Sequence, residues 1–93
     1  MTFSALQTRR FARQYKKLHD NVAADVDAAV VRVCHAPRAG ERKKGDLSDV
    51  SVHKFKSQGQ LYHLSYTLDE CVRLVYLEVI GPHENFYREL KRT

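Results

Sequence analysis

Two histidines, two lysines and a tyrosine in the second half of this chain have the types and spacings of a site that handles a phosphodiester. Lys54 and Lys56 lie in one segment, His63 in the next, and His83 and Tyr87 close to the end. Lysines hold a phosphate and offset the charge that grows on its oxygens in a transition state. Imidazole moves a proton near neutral pH. His83 and Tyr87 stand four residues apart, so a helix would put them on one face, where the tyrosine offers a stacking ring or a hydroxyl. Arg88, Lys91 and Arg92 continue a positive surface there, and Arg42, Lys43 and Lys44 form a second basic cluster. The five histidines show no HxH, HExxH or Cys/His spacing, so no metal site is expected, and no other cofactor. A P-loop, GxGxxG, GxSxG and a paired-carboxylate signature are all missing from the sequence, which leaves nucleotide hydrolysis, dehydrogenase and glycosidase chemistry without support.

Each of these side chains also has a plain structural reading. Lys54 and Lys56 could solubilise or protect a strand edge. His63 could be a half-exposed surface histidine, His83 a helix cap after Gly81-Pro82, and Tyr87 a packing partner of Phe86. The elements that carry them decide between the readings. Residues 2–6 read as a short first strand. Phe11, Tyr15 and Leu18 recur at i, i+4, i+7 and predict a helix over 8–18, with Arg9, Arg13, Lys16 and Lys17 on its other side. Asp20 or Asn21 can cap a second helix, whose stripe is Val22, Val26, Ala29, Val30 and Val33, ending before Pro37. The short join predicts an antiparallel helical hairpin. Residues 36–49 are a turn-rich, basic connection. The period then becomes two, and Val50–Lys56, Leu61–Thr67 and Val72–Ile80 read as strands of an antiparallel meander. Ser57–Gln60 and Asp69-Glu70 are its turns. His83–Lys91 reads as a short terminal helix, with Phe86 and Leu90 on one face.

This order predicts an α+β, two-layer fold with the N-terminal helical hairpin packed on one face of an antiparallel sheet. Tyr62, Leu64 and Tyr66 form the core-like set of their strand. His63 is then expected on the opposite, open face with Lys54 and Lys56, while His53 looks inward beside Phe55. The 93 residues, 43% hydrophobic and 29% charged, suffice for one domain spanning 1–93 and for one small core. Sixteen Lys and Arg against eleven Asp and Glu give a net charge of +5, which favours polyanionic partners. No apolar run nears the roughly 18–20 residues of a membrane span. The N-terminus lacks a signal-peptide core, so a cytoplasmic location and no membrane association are expected. Cys34 and Cys71 sit singly in apolar runs and are expected to be reduced and buried.

The segments FARQYKKL, the P-x-x-G after the second helix, GDLSDVSVHKF, LYHLSY and IGPHENFYRELKR together resemble the RelE/ParE superfamily of toxins from type II toxin–antitoxin systems, over nearly the whole chain. The last segment is the most specific. The resemblance implies the small RelE-like α+β fold and, for many members, metal-independent cleavage of mRNA in the ribosomal A site. The RNA 2′-OH attacks the neighbouring phosphate, leaving a 2′,3′-cyclic phosphate or 3′-phosphate and a 5′-OH. It also implies an acidic antitoxin encoded alongside, in a toxin–antitoxin hetero-oligomer. A second branch, the ParE toxins, inhibits DNA gyrase by protein binding, and a toxin-like domain retained only as an antitoxin partner is a third reading. Lys54 matches a catalytic lysine of the family. Val52 stands where the family has a second lysine, whose place Lys56 or His53 would take. His63 and His83 replace arginines of RelE itself, and Tyr87 matches an aromatic position. What the resemblance implies is His83 as general acid, or exchanging roles with His63, Lys54 and Lys56 on the phosphate, Tyr87 stacked on a base, and Arg42, Lys43, Lys44, Arg88 and Arg92 on RNA backbone.

Overall fold

The computed structural model describes residues 2–42 and 50–83. Strand β1 (Ser4–Gln7) leads into helix α1 (Arg9–Lys16), and residues 17–19 turn the chain into helix α2 (Asp20–His35). A 3-10 turn (Pro37–Ala39) and the two-residue strand β2 (Glu41–Arg42) follow, then β3 (Ser51–Ser57), β4 (Gln60–Asp69) and β5 (Leu74–Pro82). The sheet order is β1-β5-β4-β3-β2. The β3–β4–β5 meander is antiparallel as expected, but β1 joins β5 in parallel, so the sheet is mixed. The helical hairpin supplies the crossover that a parallel neighbour of β1 requires.

Helix α1 has only two turns, too few to be stable alone. Thr8 caps it, its Oγ1 accepting the N–H of Phe11 (3.3 Å), and Arg13 and Lys16 stand in the last turn, where cations suit the helix dipole. Phe11 is buried in the core, and Tyr15 Oη donates to Asp27 Oδ1 of α2 (2.8 Å). Helix α2 buries Val22, Val26, Ala29, Val33 and Cys34 against Phe55, Leu64, Tyr66, Val75, Leu77 and Ile80 of the sheet. The cap position of α2 is His19, without a side-chain bond; Asp20 is already helical, and Asn21 Oδ1 accepts the neighbouring Val22 N–H (3.0 Å).

The β3–β4 hairpin closes through Gln58 and Gly59, both at positive φ (53° and 77°), as a two-residue turn of the right hand for twisted strands requires. Ser57 Oγ donates to Asp25 Oδ2 of α2 (2.6 Å) and ties this turn to the helix layer. The β4–β5 turn corrects two expectations. Asp69 Oδ1 accepts the N–H groups of Cys71 (3.0 Å) and Val72 (3.4 Å), which holds residues 70–73 in a turn and delays β5 to Leu74. Val72 is therefore 60% exposed instead of lying in a strand, and Cys71 is exposed instead of buried.

The 3-10 turn gives the P-x-x-G segment a physical role. Tyr66, fully buried, donates its hydroxyl to the Pro37 carbonyl (2.7 Å). The Gly40 backbone lies so close that a Cβ there would collide with Tyr66 Oη. Burial pushes the Tyr66 phenol up from its ordinary value, and a backbone hydrogen bond from Gly40 acts the other way. Among the described residues, no helix is long and apolar enough to cross a membrane.

Candidate functional site

The strand register assembles the candidate site on the sheet face away from the helices. His63 on β4 is paired with Lys54 on β3 and with Gly81 on β5. Directly opposed residues put their Cβ atoms about 4.5–5.5 Å apart, and Lys56 follows Lys54 on the same face about 6.6 Å further along the strand. Both lysines are exposed. His53 is on the other face, its ring stacked on Phe55 at 6.0 Å. Val52 is buried, and of Lys56 and His53 only Lys56 shares the face of Lys54.

His63 is not the half-exposed surface residue that an open sheet face would give. It is 0% exposed, and Val52, Ser65 and Val79, the cross-strand row beside it on that face, are buried as well. His83, exposed and at the end of β5, turns its ring edge-on to His63, with centroids 4.7 Å apart and planes at 67°. Its Nδ1 lies 3.0 Å from His63 Nε2. A hydrogen bond between two imidazoles needs one N–H and one lone pair, so each ring fixes the tautomer and orientation of the other. Gly81 presents no side chain beside His63, and a Cβ there would meet nothing within 4 Å among the described residues.

A bulge in β5 makes this arrangement. Ser65 pairs with Val79, but the next residue, Tyr66, pairs with Leu77, leaving Glu78 as the extra residue. Leu77 and Ile80 then both face the core, while Val79 and Gly81 face the site. An unbulged strand would have kept Leu77, Val79 and Gly81 on one side. Helix α1 satisfies the backbone around the bulge. The Leu77 carbonyl accepts from Thr8 N (3.1 Å) and Thr8 Oγ1 (2.7 Å), and the Ile80 N–H donates to Gln14 Oε1 (2.9 Å). Glu78 Oε2 accepts from Thr67 Oγ1 (3.0 Å). Gln14 and Gly81 were not singled out by residue type. Gly81-Pro82 reads as a strand terminator, and a glutamine on a basic helix carries no sequence signal for a bond 66 residues away.

Of the residues expected to work together, His63, His83, Lys54 and Lys56 thus lie on one face. Tyr87, Arg88, Arg92, Lys43 and Lys44 lie outside the described residues, as does the segment beyond His83, with Phe86 and Leu90, that the sequence predicts as a terminal helix; of Arg42 only the backbone is described. Among the described residues, no three His, Cys, Asp or Glu side chains cluster as metal ligands would.

A family model described as the ParE-like toxin of type II bacterial toxin–antitoxin systems matches residues 5–91. No curated protein in the comparison matches the chain. Among solved structures, the toxin–antitoxin complex RelBE2 from Mycobacterium tuberculosis is similar at a TM-score of 0.78 and 19% identity, covering 89% of this chain and 100% of that one. A free mutant of the E. coli toxin RelE gives a TM-score of 0.72 and 22% identity over 87% of this chain and 83% of its own. The same RelE mutant with a peptide of the antitoxin RelB gives 0.72 and 23% over 100% and 99%. At these identities the likeness is one of fold.

Proposed function

This chain belongs to the ParE-like toxins of type II bacterial toxin–antitoxin systems, and on that premise we propose that it is an endoribonuclease that cuts ribosome-bound mRNA and is held in check by an acidic antitoxin. The observation that carries the reading is the 3.0 Å bond between His63 and His83 on the face that also holds Lys54 and Lys56. A toxin that acted only by binding a protein would have no use for a buried imidazole that orients an exposed one.

The burial difference supports separate roles for the two histidines. His83 meets the RNA, and His63, enclosed, is the residue that positions it. In the proposed reaction the RNA 2′-oxygen attacks the adjacent phosphorus and gives up its proton to solvent water. The P–O5′ bond breaks, and His83 delivers a proton to the departing 5′-oxygen. The products are a 2′,3′-cyclic phosphate and a 5′-OH. Lys54 and Lys56 bind the phosphate and offset the charge that develops on its non-bridging oxygens. Tyr87 is assigned to stacking on a base, and Arg42, Lys43, Lys44, Arg88 and Arg92 to contacts with the RNA backbone that carry no sequence information. The similar RelBE2 structure is a toxin–antitoxin complex, which supports an antitoxin partner, and the net charge of +5 here favours an acidic one.

The ParE-like description of the family favours one competing reading, inhibition of DNA gyrase without nuclease chemistry. Mapping mRNA 5′ ends after induction of the chain, beside a gyrase supercoiling assay, separates the two. Codon-phased cuts that disappear in His83→Ala are the expected result. Blocked supercoiling with intact mRNA would overturn the nuclease reading.

A further inference from the structure

On the helix side of the sheet, away from His63 and His83, the last turns of α2, the 3-10 turn and β3 enclose a cavity of about 370 Å³, within the range of ligand clefts. Val33, Ala36, Ala39 and the Tyr66 ring give it apolar walls, and Val31 at its mouth is 55% exposed. His53 also lines it, and the Nε2 of that ring is buried without a hydrogen-bond partner among the described residues. Burial first, and the positive charge of Arg32 second, hold His53 below its ordinary range, so the ring is neutral and Nε2 can take part in one hydrogen bond. An exposed valine beside an apolar hollow and an unpartnered buried nitrogen both cost the isolated fold. Both costs are relieved by an apolar group that enters carrying a polar atom for His53.

The positive charge of Arg32 at the mouth favours an acidic occupant. Arg32 and His35 are exposed there, whereas the nearby Arg38 guanidinium is already paired with Glu70. We propose that this cavity receives an apolar anchor side chain of the acidic antitoxin, with a neighbouring carboxylate on Arg32 and a polar group on His53. The inference rests on the antitoxin pairing proposed above and is independent of RNA cleavage, because the cavity and the histidine pair are on opposite faces of the sheet. A pocket that takes one buried side chain within a ring of polar contacts is where binding energy concentrates.

Calorimetric titration of the full chain with the antitoxin encoded beside it tests this, using Val31→Asp, Arg32→Glu and the cavity-filling Ala39→Leu. Each should weaken binding tenfold or more, with mRNA cleavage and the melting temperature close to those of the unaltered chain. Arg32 is on the surface, so its variant keeps the test valid should a cavity variant fold poorly. Binding within twofold of the unaltered chain in all three would overturn the cavity as anchor while leaving the pairing intact. An unaltered chain that ignored the antitoxin would overturn the pairing itself. Self-association abolished by Val31→Asp would assign the cavity to a second copy of this chain and would equally overturn the proposal.

Discussion

If the bond between His63 Nε2 and His83 Nδ1 makes the two rings one functional unit, removing both should cost little more than removing one. A positioned general acid contributes about 10²–10⁴ to a rate, which is about 2.7–5.5 kcal/mol at 1.36 kcal/mol per decade. His83→Ala should lose that factor outright, because His83 is the exposed member of the pair. His63→Ala should lose a large part of it, because the acid ring is then unoriented and its tautomer unfixed. The double variant should be within about threefold of His83→Ala, since groups that act through one another are not additive. His63→Gln tests orientation separately from void formation at this fully buried position. A glutamine amide can still donate to or accept from His83 Nδ1, so it should recover part of the activity that alanine loses. The assay is single-turnover cleavage of a defined mRNA on purified ribosomes, with thermal melting of each variant alongside. Losses that multiply in the double variant, or a His63→Gln variant as slow as His63→Ala at unchanged stability, would refute the reasoning.

Three further outcomes follow from contacts elsewhere in the fold. Gln14→Leu deprives the part-buried Ile80 N–H of its acceptor, so it should cost about 1–3 kcal/mol in urea denaturation, with Gln14→Glu largely retaining stability; equal stability of the leucine variant would remove α1 as the support of the bulge. Tyr66→Phe leaves the Pro37 carbonyl without its buried donor and should lower stability by about 1–2 kcal/mol without changing cleavage by correctly folded protein. The third concerns acid. Burial, then Arg32, lowers the His53 pKa in the folded chain below its ordinary 6.5, so the unfolded chain takes up the proton first and stability present above about pH 6.5 is lost as the pH falls below it. The urea midpoint should therefore drop between pH 7.5 and 5.5, and His53→Phe should flatten that drop; identical pH profiles would contradict it.

Much of this molecule can be read from periodicity alone. The valine stripe of α2 and the alternation of Tyr62, Leu64 and Tyr66 place those side chains in the core, and the same parity puts His63, Lys54 and Lys56 on the opposite face. The turn at Gln58-Gly59 then sets the register that brings Lys54 opposite His63. These relations are local: a strand's alternation and a two-residue turn are properties of adjacent residues. The parallel pairing of β1 with β5, the late start of β5, the burial of His63 and the core cleft beside His53 depend on segments far apart in the chain. The bulge at Glu78 shows the difference most directly. Read as an unbroken strand, residues 74–82 would put Val79 and Gly81 on the core side with Leu77. Helix α1 offers Thr8 to the Leu77 carbonyl and Gln14 to the Ile80 N–H, and that backbone match shifts the parity by one residue. Hydrogen-bond satisfaction between distant segments, which no local pattern records, is what sets Gly81 beside His63 and lets His83 close on it.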